Sequence, residues 1–131
     1  MKYATIIVGI LVGLLFVAAA VAVLFHLVTP PPPPEGSAMA AFNTAFGPTG
    51  YLTFVKILEL VGGVLIAIPV TRRAGLLILG PIMINILAFH VFVTGGQGLL
   101  DPPLMVLTAL MLFLTWAERG AFAAFLRPTR P

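Results

Sequence analysis

The sequence predicts an all-α transmembrane fold: four hydrophobic helices in a single domain over residues 1–131. Three observations predict it. Apolar residues make up 60% of the chain and charged residues only 8%, against about 25% charged in an ordinary soluble domain. Apolar stretches of roughly 20 residues, the length that crosses a ~30 Å hydrocarbon core, recur along the chain. Basic residues gather at alternate ends of those stretches, which is how lysine and arginine orient membrane proteins.

The first span covers about residues 4–28 and carries no charge. Lys2 before it and Ala18-Ala19-Ala20 within it resemble a secretory signal. The apolar core of such a signal is only about 7–15 residues long, so this longer run is read as a retained span. Gly9 and Gly13 form a GxxxG spacing, and Gly62-Gly63 thins the second span. Small residues let helices approach closely, here inside the bundle or, alternatively, in a dimer.

Residues 29–50 form a loop on the outer face. Pro30 to Pro34 end the first helix and favour polyproline II. Ala38 to Phe46 reads as a short interfacial helix with Met39, Phe42 and Phe46 on one side. The second span covers about 51–70 and contains Lys56 and Glu59. Thr71-Arg72-Arg73 is a tight inner turn, and the third span covers about 74–94 with Asn85 and His90. Pro69 and Pro81 are expected near the inner ends of these two spans, as helix-end or kink positions. Gly95-Gly96-Gln97-Gly98 is an outer turn. Asp101, a good N-cap, and Pro102-Pro103 open the fourth span, about 102–117. The tail, 118–131, carries Phe122, Phe125 and Leu126 beside Arg127 and Arg130, an inner interfacial anchor.

Lys2, Arg72, Arg73, Arg119, Arg127 and Arg130 fall on one side of this arrangement, and Glu35 and Asp101 on the other. The split predicts a multi-pass protein of the bacterial inner membrane with both termini cytoplasmic. The pI near 10.0 is not read as nucleic-acid binding, because the arginines lie at the edges of apolar runs and form no basic stripe. The chain has no cysteine, which excludes disulfides, thiolate metal sites and cysteine nucleophiles. No HExxH or paired-carboxylate spacing marks a metal site.

Ionisable groups within a bilayer are costly, roughly 2.5–3.5 kcal/mol for lysine or aspartate at its centre. At 1.5 Å rise per residue, Lys56 lies about 7–8 Å and Glu59 about 12 Å below the outer surface. On the same scale His90 lies about 6 Å and Asn85 about 13–14 Å down, with His26 near the outer end of span one. The polar groups Lys56, Glu59, Asn85, His90 and His26 therefore gather in the outer half as candidate ligand-binding residues. Glu59 and His90 are the candidates for proton chemistry. Lys56 and Glu59 are spaced i, i+3 and share a helix face, so the alternative is an internal ion pair tied down by Asn85. Asn85 and His90 are separated by roughly 140° around their helix, so they do not both point squarely at one partner. His26 and His90 raise bis-histidine haem ligation, which is disfavoured against snorkelling or hydrogen-bonded histidines.

The run Lys56-Ile57-Leu58-Glu59-Leu60-Val61-Gly62-Gly63-Val64-Leu65, with Arg72-Arg73-Ala74-Gly75, Pro81-Ile82-Met83-Ile84-Asn85 and Phe89-His90, resembles the DoxX family of small bacterial membrane proteins. The resemblance covers mainly spans two and three. It implies an up-down four-helix bundle and a link to quinone-dependent sulfur oxidation. Span one departs from the family pattern, ending in Phe25-His26 and the proline run rather than a polar Gly-Lys ending.

Three functions are weighed. The leading one is an accessory or structural subunit of a larger membrane complex, respiratory or redox, without catalytic activity of its own. Its partners would be the lipid bilayer and other membrane subunits, and no nucleic acid. The second is a quinone-reactive oxidoreductase subunit in which Glu59 accepts a quinol proton, His90 relays it and Asn85 holds a quinone oxygen. The third is a small-solute transporter, although no broken-helix pair of the transporter kind is evident.

Overall fold

Four helices of this chain share one burial pattern. In α1 (Lys2–Leu24) the buried residues are Gly9, Val12, Gly13, Phe16 and Ala20. In α3 (Tyr51–Ala67) they are Glu59, Gly62, Gly63 and Ile66. In α4 (Arg72–Phe92) they are Arg72, Gly75, Leu76, Leu79 and Met83. In α5 (Pro102–Ala117) they are Met111 and Leu114. Each set follows the i, i+3, i+4, i+7 stripe of a helix that buries one face. The opposite faces are apolar too: Leu14 is 60% exposed, Ile84 70% and Leu112 66%. Helices apolar all round belong in lipid or a large core, and this chain is too small for the latter.

A computed structural model describes residues 1–130; Pro131, the last residue of the predicted tail, lies outside the described residues. The described residues are all helical and contain no strand. Besides the four helices above there are α2 (Ala38–Phe46), a 3-10 turn (Gly47–Thr49) and α6 (Arg119–Phe125). α1 and α4 are each long and apolar enough to cross a membrane. α3 has 17 residues and α5 has 16, about 25 Å at 1.5 Å per residue. They reach span length only when each is counted with the helix bent away from it. These are Ala38–Thr49 at 82° to α3, and α6 at 63° to α5. The structure thus holds two candidate spans, or four if each bent pair counts as one.

α1 packs on α3, α3 on α4, and α5 on both α1 and α4. Glycines govern the closeness. A Cβ on Gly13 would lie 2.5 Å from the Gly63 carbonyl oxygen, and one on Gly75 would lie 2.5 Å from the Ile66 nitrogen. Gly9, Gly13 and Gly63 are therefore consumed by contacts within the chain, the intramolecular reading of the GxxxG spacing. The core forms around these contacts from Val12, Phe16, Ile66, Leu76, Leu79, Met83, Met111 and Leu114.

Several boundaries differ from the sequence reading. α1 ends at Leu24, four residues before the predicted end. His26 adopts a left-handed φ of 55°. The Leu27 N–H reaches the Ala22 carbonyl (2.8 Å) and the His26 N–H reaches that of Val23 (3.2 Å). This is the Schellman pattern, in which a left-handed residue lets the chain double back on the last carbonyls. α3 ends at Ala67, and Pro69 follows in the turn. There the Thr71 hydroxyl donates to the Leu65 carbonyl at 2.8 Å, satisfying a helix-end acceptor that lipid could not. Pro81 was expected near the inner end of its span, but it sits mid-helix and α4 continues unbroken through it. Asp101 occupies the N-cap of α5 without a side-chain cap bond. Pro102 and Pro103 follow it and have no N–H to offer. Ser37 does cap α2, accepting from the Ala40 N–H at 3.1 Å.

Candidate functional site: a cleft beneath the loop-end helix

The glycine contacts bring α3 and α4 together at the end that carries the chain termini. Toward the other end the residues grow bulky. The stripe that buries Gly62 and Ile66 continues upward through Glu59, Lys56, Val55 and Leu52, and these line open space. The cleft measures about 630 Å³. α4 contributes Asn85, Phe89 and His90 to the facing wall, and α2 contributes Met39 and Phe42.

α2 covers part of this cleft, a role its composition alone does not reveal. The Phe42 ring meets Phe89 edge-on at 5.1 Å, linking α2 to α4. Phe42 and Phe46 are 4.9 Å apart, and Phe46 lies 5.4 Å from Tyr51 at the start of α3. This aromatic chain holds the bend at Gly50, whose φ of 79° suits glycine.

Four of the five polar residues singled out in the sequence meet here: Lys56, Glu59, Asn85 and His90 all line the cleft. Lys56 Nζ donates to Glu59 Oε2 at 2.9 Å. The Glu59 side chain is only 4% exposed, against 26% for Lys56, so the ammonium closes the mouth of a sunken carboxylate. Asn85 does not tie down the pair: among the described residues its amide makes no hydrogen bond, and it faces open space. It is exposed because α3 and α4 have separated at this level. His90 Nδ1 lies 2.8 Å from the Ile86 carbonyl oxygen. A carbonyl only accepts, so Nδ1 carries a proton. The Nε2 edge of the ring lies toward Gly98 in the turn between α4 and α5.

His26 is not among the residues that line the cleft. It is exposed and serves as the left-handed cap of α1. Its separate position brings no second histidine to His90.

The cleft joins an aromatic and aliphatic wall to two donors, the Lys56 ammonium and the Asn85 amide, and one carboxylate acceptor, Glu59, with the His90 ring on its wall. Such a site suits an amphiphile with a small hydrogen-bonding head and an apolar body. Comparison with protein-family models, curated proteins and solved structures finds no match for this chain.

The sequence reading assigned Arg72 only to orientation and did not consider Glu118. Arg72 is 4% exposed and opens the buried stripe of α4. Its spacing of three and four residues from Gly75 and Leu76 is the signal that would have found it. Glu118 Oε2 accepts from Arg73 Nε at 2.8 Å, and Glu118 Oε1 stands 4.0 Å from Arg72 Nη1.

Proposed function

We propose that this chain is a DoxX-like protein of the bacterial inner membrane, built as an up-down four-helix bundle with both termini cytoplasmic. In this reading it serves as an accessory subunit of a larger membrane complex and receives a quinone-class amphiphile in its cleft. The observation that carries the ligand reading is the convergence of Lys56, Glu59, Asn85 and His90 on one aromatic-walled cleft. Support for the topology comes from the start of α1, the α3–α4 turn and the end of α5 lying around one cavity, and from Lys2, Arg72, Arg73 and Arg119 lining it.

A head with two oxygens fits the donor and acceptor set. A quinone carbonyl takes hydrogen bonds from Lys56 and Asn85. A quinol hydroxyl donates to Glu59. The electrons of any quinol oxidation would pass to a partner subunit, which is why the accessory role and the ligand site belong together.

The test is binding of a short-tailed quinone and its quinol to the purified protein in lipid nanodiscs, followed by isothermal titration calorimetry and native mass spectrometry. Saturable binding is expected, weakened about tenfold by Glu59→Gln, the loss of one charge-assisted bond. Absence of saturable binding to the wild-type protein defeats the ligand reading. Purification from native membranes as a lone chain defeats the subunit reading.

A further inference from the structure

At the termini end a second cavity, of about 440 Å³, lies between the start of α1, the α3–α4 turn and the end of α5. Lys2, Arg72, Arg73 and Arg119 line it, with Glu118 as the single acid and Thr5 as a hydroxyl. The cations outnumber their partner. Glu118 is committed to Arg73 at 2.8 Å. Arg119 donates to the Trp116 carbonyl at 2.8 Å and stacks over the Trp116 ring at 4.2 Å. Among the described residues no carboxylate stands within 4.0 Å of Lys2 or Arg119.

Arg72 is the decisive group. A guanidinium offers five donors in a rigid fork. This one makes a single long bond, from Nε to the Ile66 carbonyl at 3.4 Å. Nη1 stands 4.0 Å from Glu118, beyond hydrogen-bond range, and Nη2 is buried with no partner. A buried charged donor left without an acceptor is costly. The chain nevertheless makes room for it: a Cβ on Gly9 would lie 2.8 Å from Arg72 Nε and 2.9 Å from Nη2.

We propose that this cavity binds a phosphate group, carried by an anionic phospholipid headgroup or present as free phosphate. Two oxygens of a tetrahedral phosphate accept from the planar guanidinium fork in bidentate fashion. Arg72 forms the sunken end of the site. Lys2 and Arg119 provide the outer cations, and Arg73 stays with Glu118. The site lies at the opposite end of the helices from the cleft and is independent of it.

The experiment measures thermal unfolding of the full chain in detergent, with native mass spectrometry of retained lipid. The probes are phosphatidylglycerol against phosphatidylcholine, and inorganic phosphate against chloride at equal ionic strength. A saturable rise in Tm with phosphatidylglycerol alone assigns a lipid headgroup; a rise with phosphate as well assigns the free anion. Arg72→Gln should abolish the rise. Because that variant risks misfolding, Lys2→Gln with Arg119→Gln is the second arm, expected to weaken binding about tenfold. Arg127→Gln with Arg130→Gln removes the same charge away from the cavity and should change nothing. A wild-type protein that responds to neither probe overturns the proposal. So does equal weakening by the two double variants, which would mean that diffuse charge alone attracts the anion.

Discussion

Lys56 Nζ and Glu59 Oε2 lie 2.9 Å apart, one turn from each other on α3, with the carboxylate sunken and the ammonium at the cleft mouth. The pair is unequal in its surroundings, so its two halves are not equivalent to remove. Lys56→Leu strands a buried carboxylate and should cost about 3–5 kcal/mol, whereas Lys56→Leu with Glu59→Leu together should cost far less. Unfolding in mixed micelles measures both. Additive costs would show that the two groups do not depend on each other.

Phe42 is the contact through which α2 reaches α4, by its edge-on meeting with Phe89 at 5.1 Å. Phe42→Ala removes an aromatic pair worth about 0.5–1.5 kcal/mol beyond its buried area. It should raise the Kd of a quinone-class ligand several-fold while shifting Tm little, because α2 buries no residue of the core. A ligand titration beside a melting curve separates the two effects.

The glycines should divide by what surrounds them. Gly75→Ala places a methyl 2.5 Å from the Ile66 backbone nitrogen, while a Cβ on Gly120 in α6 meets nothing within 4 Å. Overpacking costs about 1–3 kcal/mol, so Gly75→Ala should lower Tm clearly. Gly120→Ala should be neutral or slightly stabilising, since alanine is the better helix former. Equal behaviour of the two variants would contradict the close approach of α3 and α4.

His26 holds a left-handed conformation that glycine adopts without strain. His26→Gly should therefore raise stability by about 0.5–1 kcal/mol and leave ligand binding at the cleft unchanged. Loss of binding on this substitution would return His26 to the functional site.

Glu118 joins α5 to the start of α4 through Arg73, and among the described residues it is the only carboxylate within 4.0 Å of Arg72. Arg73 is 67% exposed and Arg72 only 4%. Arg73→Ala breaks a bridge to an exposed partner, worth about 0–1 kcal/mol. Glu118→Ala should cost more, because it also removes the nearest counter-charge of the buried Arg72. Chemical denaturation of the two variants ranks them directly.

The membrane character, the helical class and the short helix Ala38–Phe46 were legible in the sequence. Each is written in local terms: apolar runs, a serine N-cap and breaks at proline and glycine. The shared level of Lys56, Glu59, Asn85 and His90 was also legible, because helical rise converts residue number into depth. The actual contacts were not. Whether Asn85 touches Glu59 depends on how far α3 and α4 stand apart. Gly62 and Gly75 close one end of that pair, while Lys56, Glu59, Asn85 and His90 line the cleft at the other.

The chain by itself determined what its helices are made of and how far along them their polar groups sit, since hydropathy and helical rise are properties of a single segment. Tertiary structure decided the rest: that α2 covers a cleft, that His26 ends a helix, and that Arg72 is buried with unmatched donors. Those outcomes depend on the distance between segments far apart in sequence, which is set by the small residues where helices meet.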